Sequence, residues 1–337
     1  MWLEKLTHQY LPAVEASLQQ AVARLNGADF SELHRMMAYH MGWQGHDAGP
    51  EAQGKRIRPL LVLLSTAACQ ADWQSALPAA TAIELVHNFS LIHDDIEDNS
   101  PLRRGRPTVW TRWGIPQAIN TGDAMFTLAH LVLLDLVETA NEHIAFQAAR
   151  ILQQTCLQLT QGQFLDMSYE QQRALPIAAY WPMVSGKTAA LLSACTEIGA
   201  LVAGVTAQRQ QAFRTFGLNL GLAFQALDDL LGIWGDADKI GKSATSDLVE
   251  GKKSLPVLYG LAQQGEFARQ WLQGPVAAQQ VPALAALLEA EGARNYTQQE
   301  AERLTEMALQ ALQQAKPQGE AGQALSELAN QLLKRQL

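Results

Sequence analysis

Apolar residues recur at intervals of three and four through residues 10–25, 58–69, 79–92, 123–137, 144–165, 189–202, 209–231 and 298–312. That period lays them on one stripe of a helix, so each stretch predicts an amphipathic or buried helix. Aromatic residues make up only 7% of the chain, which leaves little of the material strands prefer. The expected fold class is therefore all-α. Helix breakers cluster at 47–54, 99–107, Gly114 with Pro116, 175–182 and 232–241. None of these reads as a linker, and a single domain over residues 1–337 is expected. The alanine- and glutamine-rich stretch 266–292 predicts peripheral helices, and 314–322 a surface loop before a last helix.

Charge narrows the partners. A net charge of −8 without a concentrated Lys/Arg run disfavours nucleic acid or an anionic membrane surface as the main partner. Cys69, Cys156 and Cys195 are far apart and lack a CxxC spacing, so neither a disulfide framework nor a zinc site is expected. The N-terminus alternates apolar and charged residues where a secretory signal needs an unbroken apolar core. No run reaches the roughly 18 uncharged apolar residues of a spanning helix, and a reducing cytoplasm is the expected location.

Two helix ends carry the acids. Asp94-Asp95-Ile96-Glu97-Asp98 closes a largely apolar helix, and its spacing puts Asp94 and Asp98 on one face a turn apart. Two such oxygens make a half-site for Mg²⁺, which keeps several waters and is commonly shared with a phosphate. Phe224-Gln225-Ala226-Leu227-Asp228-Asp229 repeats the logic. Either motif alone is compatible with a solvated acidic helix end. Two facing each other across a helical bundle would hold divalent ions around one diphosphate.

Basic residues fall in separate groups. Arg103-Arg104-Gly105-Arg106-Pro107 follows the first acid cluster, and its forked guanidiniums suit either a salt-bridge cluster or phosphate oxygens. Gly54-Lys55-Arg56-Ile57-Arg58-Pro59 opens a helix, where free N–H groups and the dipole attract an anion. The arrangement suggests two phosphorylated substrates, one held by metals and one by basic side chains alone. Gly186-Lys187-Thr188 is not a nucleotide-binding P-loop, because Trp181 stands where its first glycine belongs.

Taken together, these motifs resemble the polyprenyl (isoprenyl) diphosphate synthase family, with similarity running from about Tyr10 to the last helices. The resemblance implies an orthogonal helical bundle around a deep central cavity, usually a homodimer. It implies that Asp94, Asp98 and Asp228 bind Mg²⁺, three ions per site with bound diphosphate, and that Asp95 and Asp229 support them in the catalytic machinery. Arg103, Lys187, Thr188, Gln225 and Lys242 would hold an allylic diphosphate, with Lys252 a further member. Lys55, Arg58, His87 and Arg104 would hold isopentenyl diphosphate. From the residues alone, a histidine such as His87 on a mostly apolar helix is more often a satisfied core residue, and only its match to the family position marks it for substrate; His93 has no such match.

The activity implied is head-to-tail condensation of isopentenyl diphosphate with dimethylallyl, geranyl or farnesyl diphosphate, giving farnesyl or geranylgeranyl diphosphate. Chain length would depend on the cavity below the first motif. Phe89 would be its floor, Ser90 a small neighbour, and Ile83, Leu85 and Val86 its wall or backing. Two departures stand out. Gly232 occupies a position where many members carry the last aspartate of the second motif, which predicts a weakened metal shell, and Trp110 a position often held by histidine. The rival readings are a class I terpene cyclase, which needs no second diphosphate site, and a non-catalytic subunit of a prenyl synthase.

Overall fold

The computed structural model describes residues 1–25, 27–173, 175–235 and 246–333. Among the described residues the regular elements are helices, apart from one antiparallel pair of two-residue strands, Leu102–Arg103 and Arg106–Pro107. None of the described helices is long and apolar enough to cross a membrane. The chain divides into two compact units whose segments interleave: Met1–Gln153, Cys195–Gln210 and Pro317–Leu325 form one, and Gln154–Ala194, Gln211–Lys316 and Ser326–Leu337 the other. Helices Glu142–Glu170, Ala190–Val202, Ala207–Trp234 and Gly319–Leu333 contribute residues to both.

In the first unit, helix Leu77–Glu97 is apolar almost all round, and Ile83, Leu85 and Val86 are fully buried. Each such side chain contributes about 1.5–3 kcal/mol of transfer free energy. Helices Trp2–Val22, Ile57–Ala67 and Ile115–Leu134 pack on it. The approach of Ile115–Leu134 is close at Gly122, where any Cβ would overlap the His93 imidazole. Pro116 does not interrupt this helix but occupies its first turn, where a missing N–H costs nothing.

In the second unit, Phe213, Phe216 and Phe267 are fully buried. Residues 185–189 form a single π-helical turn between Tyr180–Val184 and Ala190–Val202. A Cβ on Gly162 would collide with the Lys187 backbone, and one on Gly186 with that of Gln158 and Gly162, so the two backbones touch. Only glycine permits that approach.

Helices Ser31–His40 and Leu255–Gln263 lie outside the periodic stretches of the sequence. Both are short, and too few turns fall within a window for a period to emerge. The 47–54 segment carries a helical turn, Pro50–Gln53, and the last helix begins at Gly319, inside the expected 314–322 loop.

Candidate active site

Helix Leu77–Glu97 carries the first acids through its last turn, with Asp98 capping it by an N–H bond to the Asp94 carbonyl, 2.8 Å. Asp94 is half-buried and Asp98 exposed, one turn apart. Carboxylates here sit at the negative end of the helix dipole, an arrangement that local electrostatics disfavours and a cation offsets. The donors are all oxygen and open to solvent, which fits a hard divalent ion that retains waters. Asp95 is buried, and its Oδ1 accepts from Arg103 Nε at 2.8 Å. Burial pushes its carboxyl up to about 6 against the opposing pull of Arg103.

The chain then reverses through a two-residue hairpin turn, Arg104 and Gly105, both at positive φ as the tight turn requires. Trp110 Nε1 donates to the Ser100 carbonyl at 2.9 Å and closes this loop onto the acid helix, which gives that tryptophan a structural role. Arg104 Nη1 donates to the Ala52 carbonyl at 2.8 Å, and its guanidinium lies flat over Gly54, where a Cβ would be 2.6 Å from Cζ. The two basic loops, far apart in sequence, thus meet.

Within the 54–59 loop the three cations separate. Lys55 is exposed. Arg56 adopts φ 47 and is held by Glu15 at 2.6 Å, Glu84 at 2.9 Å and the Met41 carbonyl at 3.2 Å. Those bonds anchor the left-handed backbone at the start of helix Ile57–Ala67, so Arg56 is structural. Arg58 Nη1 lies 3.1 Å from His87 Nε2. Burial, then the charges of Arg58, Arg104 and Arg103, hold the His87 imidazole neutral, well below its usual range, so Nε2 accepts. Below the acids, Phe89 packs edge-on against Phe126 at 4.8 Å and His93 at 5.4 Å, and Ser90 Oγ donates to the His87 carbonyl.

In the second unit, Thr188 Oγ1 donates to Gln225 Oε1 at 2.8 Å, and Gln225 Nε2 donates to Asp229 Oδ1 at 3.0 Å. The other Asp229 oxygen accepts from Tyr180 Oη at 2.8 Å and Leu255 N–H at 2.9 Å. Burial pushes the Asp229 carboxyl up to about 7, against those three donors. Asp229 is thus a hub that ties three segments together, while its neighbour Asp228 is exposed. Lys187, on the π-helical turn, pairs with Asp166.

A family model described as polyprenyl synthetase matches residues 47–288. The chain belongs to the polyprenyl synthetase family. Among its relatives, a (2E,6E)-farnesyl diphosphate synthase of Mycobacterium tuberculosis is 36% identical over 99% of this chain and 95% of its own length. A geranylgeranyl diphosphate synthase of the same organism is 40% identical over 91% and 92%. The crystal structure of a polyprenyl synthetase from Streptomyces coelicolor shares 37% identity and a TM-score of 0.85, covering 95% of this chain and 96% of that one. A geranylgeranyl pyrophosphate synthetase from Pyrococcus horikoshii gives a TM-score of 0.87 at 29% identity, over 99% and 98%.

At Gly232, where the polyprenyl synthetase pattern often has an aspartate, the structure brings another segment close. Any side chain there would overlap the carboxylate of Asp247. Gly232 follows Asp228 by one turn, and the carboxylate of Asp247 lies beside it. Lys252 Nζ lies 2.8 Å from Glu250 and 3.5 Å from Asp247, half-exposed, which ties it to this acid. Lys242 and Asp236 lie outside the described residues. Sequence reasoning missed Asp166, Tyr180 and Asp247. The first two are isolated polar residues in apolar helical stretches, and only their spatial partners mark them.

Proposed function

We propose that this member of the family is a short-chain trans-prenyltransferase, condensing isopentenyl diphosphate with dimethylallyl, geranyl or farnesyl diphosphate to give farnesyl or geranylgeranyl diphosphate and pyrophosphate. The observation that supports this is the basic group of the first unit: exposed Lys55, the Arg58–His87 pair and Arg104 over Gly54 offer positive charge suited to a second diphosphate. Chain elongation needs that second diphosphate site, and cyclisation does not. The near full-length relatedness to farnesyl and geranylgeranyl diphosphate synthases supports the same reading over a cyclase or a silent subunit.

Asp94, Asp98 and Asp228 are the residues that would hold Mg²⁺, whose bound charge would neutralise the diphosphate as it departs. Arg103, Lys187 and Lys252 orient the allylic diphosphate, as do Thr188 and Gln225, which their mutual bond holds together. The allylic C–O bond breaks with its electron pair leaving on pyrophosphate; the isopentenyl double bond attacks the allylic cation, and the proton lost from the adduct passes to pyrophosphate. Phe89 stops the growing chain and Ser90 leaves room beside it. A single catalytic domain, working as a homodimer, completes the reading; Ile115, Ile119, Leu131 and Leu134, exposed along one helix, support a second copy as the partner.

The test is incubation of the purified chain with Mg²⁺, labelled isopentenyl diphosphate and each allylic diphosphate in turn, with chromatography of the products. Elongated diphosphates are expected. Release of hydrocarbon or alcohol without isopentenyl consumption would identify a cyclase, and no reaction a subunit that needs a partner.

A further inference from the structure

Helix Ser31–His40 ends in a histidine that no sequence motif marks. Its Nε2 is buried without a protein partner, and so is Asp95 Oδ2, the oxygen that Arg103 does not use. His40 and Asp95 line one cavity of about 20 Å³, together with Arg103, Arg104, Arg106 and Thr108. A cavity needs roughly 10–15 Å³ and at least two polar partners to hold one water, and both conditions are met. Two orphaned polar atoms on residues that line the same water-sized space are a costly coincidence unless something bridges them.

We propose that His40 is a positioning residue, joined through one water to Asp95 Oδ2 and thereby holding the Arg103 guanidinium in place for the allylic diphosphate. Burial and the surrounding guanidiniums of Arg103, Arg104, Arg56 and Arg106 keep the imidazole neutral. In either tautomer a water can complement Nε2 while donating its other proton to Asp95. Arg103 meets Asp95 through Nε alone, an edge contact that leaves its terminal nitrogens for phosphate oxygens. Fixing Asp95 at both oxygens removes the rotation about its terminal bond that would swing Arg103 away. The inference rests on the proposed role of Arg103 as an allylic-diphosphate ligand.

The experiment compares His40→Phe, which fills the cavity without a nitrogen, with His40→Gln, which retains a polar tip, and with Asp95→Asn, Arg103→Gln and the His40→Phe/Asp95→Asn double variant. His40→Phe is expected to raise the KM for the allylic diphosphate about tenfold, leaving the KM for isopentenyl diphosphate and the Tm nearly unchanged, and His40→Gln to restore most of the loss. The double variant is expected to match Asp95→Asn alone, because both act through one chain of contacts. A normal allylic KM in His40→Phe, equal rises for both substrates, or additive effects would overturn the proposal. If Arg103→Gln also has a normal allylic KM, the substrate reading of Arg103 falls with it; if that KM rises while His40→Phe is normal, only the role of His40 falls. Should His40→Phe not fold, a crystal structure of the wild-type chain decides: a water bonded to both Nε2 and Oδ2 is expected, and its absence sinks the idea.

Discussion

The carboxylate of Asp247 occupies the space that a side chain on Gly232 would fill. The glycine is thus matched to an acid arriving from a different segment, and the two positions behave as a pair. Gly232→Asp should therefore reduce activity at least tenfold by setting two carboxylates against each other, with little loss of stability because the Asp247 side chain can swing aside. Combining it with Asp247→Ser should recover much of the activity. Turnover across a Mg²⁺ titration, with thermal melts, checks this; a double variant worse than either single one would show that the two acids are not interchangeable.

Asp94 stands on the solvent-facing side of its helix end, half-buried and one turn from Asp98. Asp94→Ala is expected to cut kcat on the order of 10²-fold or more, the scale of losing preorganised charge stabilisation. Normal turnover at saturating Mg²⁺ would remove this residue from the metal site.

Tyr180 is buried and donates to Asp229, which also binds Gln225 and Leu255. Tyr180→Phe deletes that donor without changing shape and should cost about 1–3 kcal/mol, because Asp229 stays buried with one partner fewer. Urea unfolding measures the loss, and an unchanged midpoint would mean that the other two donors suffice.

Phe89 packs on Phe126 and His93 below the first acid motif. Phe89→Ala is expected to shift products toward longer prenyl chains with little change in isopentenyl turnover. Chromatography of the dephosphorylated products tests it, and an unchanged length distribution would take Phe89 out of the floor.

Both His40 and His87 are held neutral in the folded state, well below the ordinary imidazole range, by burial first and neighbouring arginines second. Each of these two histidines therefore binds fewer protons folded than unfolded between its depressed value and the unfolded pKa near 6.5, while Asp95 and Asp229, pushed up to about 6 and about 7, bind more and act in the opposite direction. The histidine contribution is fully present above about pH 6.5 and is lost as pH falls toward the folded values. Thermal melts from pH 8 to 5 should show His87→Gln losing less stability on acidification than the unaltered chain, and identical slopes would take His87 out of the linkage.

The helical class, the two acid motifs and the basic loops were legible because each is local: a 3.6-residue period, an i, i+4 pair of carboxylates, adjacent arginines. The hub around Asp229 was not. Its partners Tyr180, Gln225 and Leu255 are brought together by packing, and an isolated tyrosine in an apolar stretch carries no mark of the carboxylate it will meet. Arg56 shows the opposite error in waiting: it looks like its neighbours Lys55 and Arg58, yet Glu15 and Glu84 claim it for the core.

The sequence by itself determined where the helices run, which of them end in acids and which loops carry positive charge, since these follow from residue spacing along one chain. Tertiary structure alone decided which charges remain available to a substrate. That depends on partners distant in sequence: Glu84 withdrawing Arg56, Asp247 filling the space beside Gly232, and His40 brought to the cavity it shares with Asp95. A buried polar group must be satisfied by whatever the fold places within about 3 Å, and no local pattern encodes that neighbour.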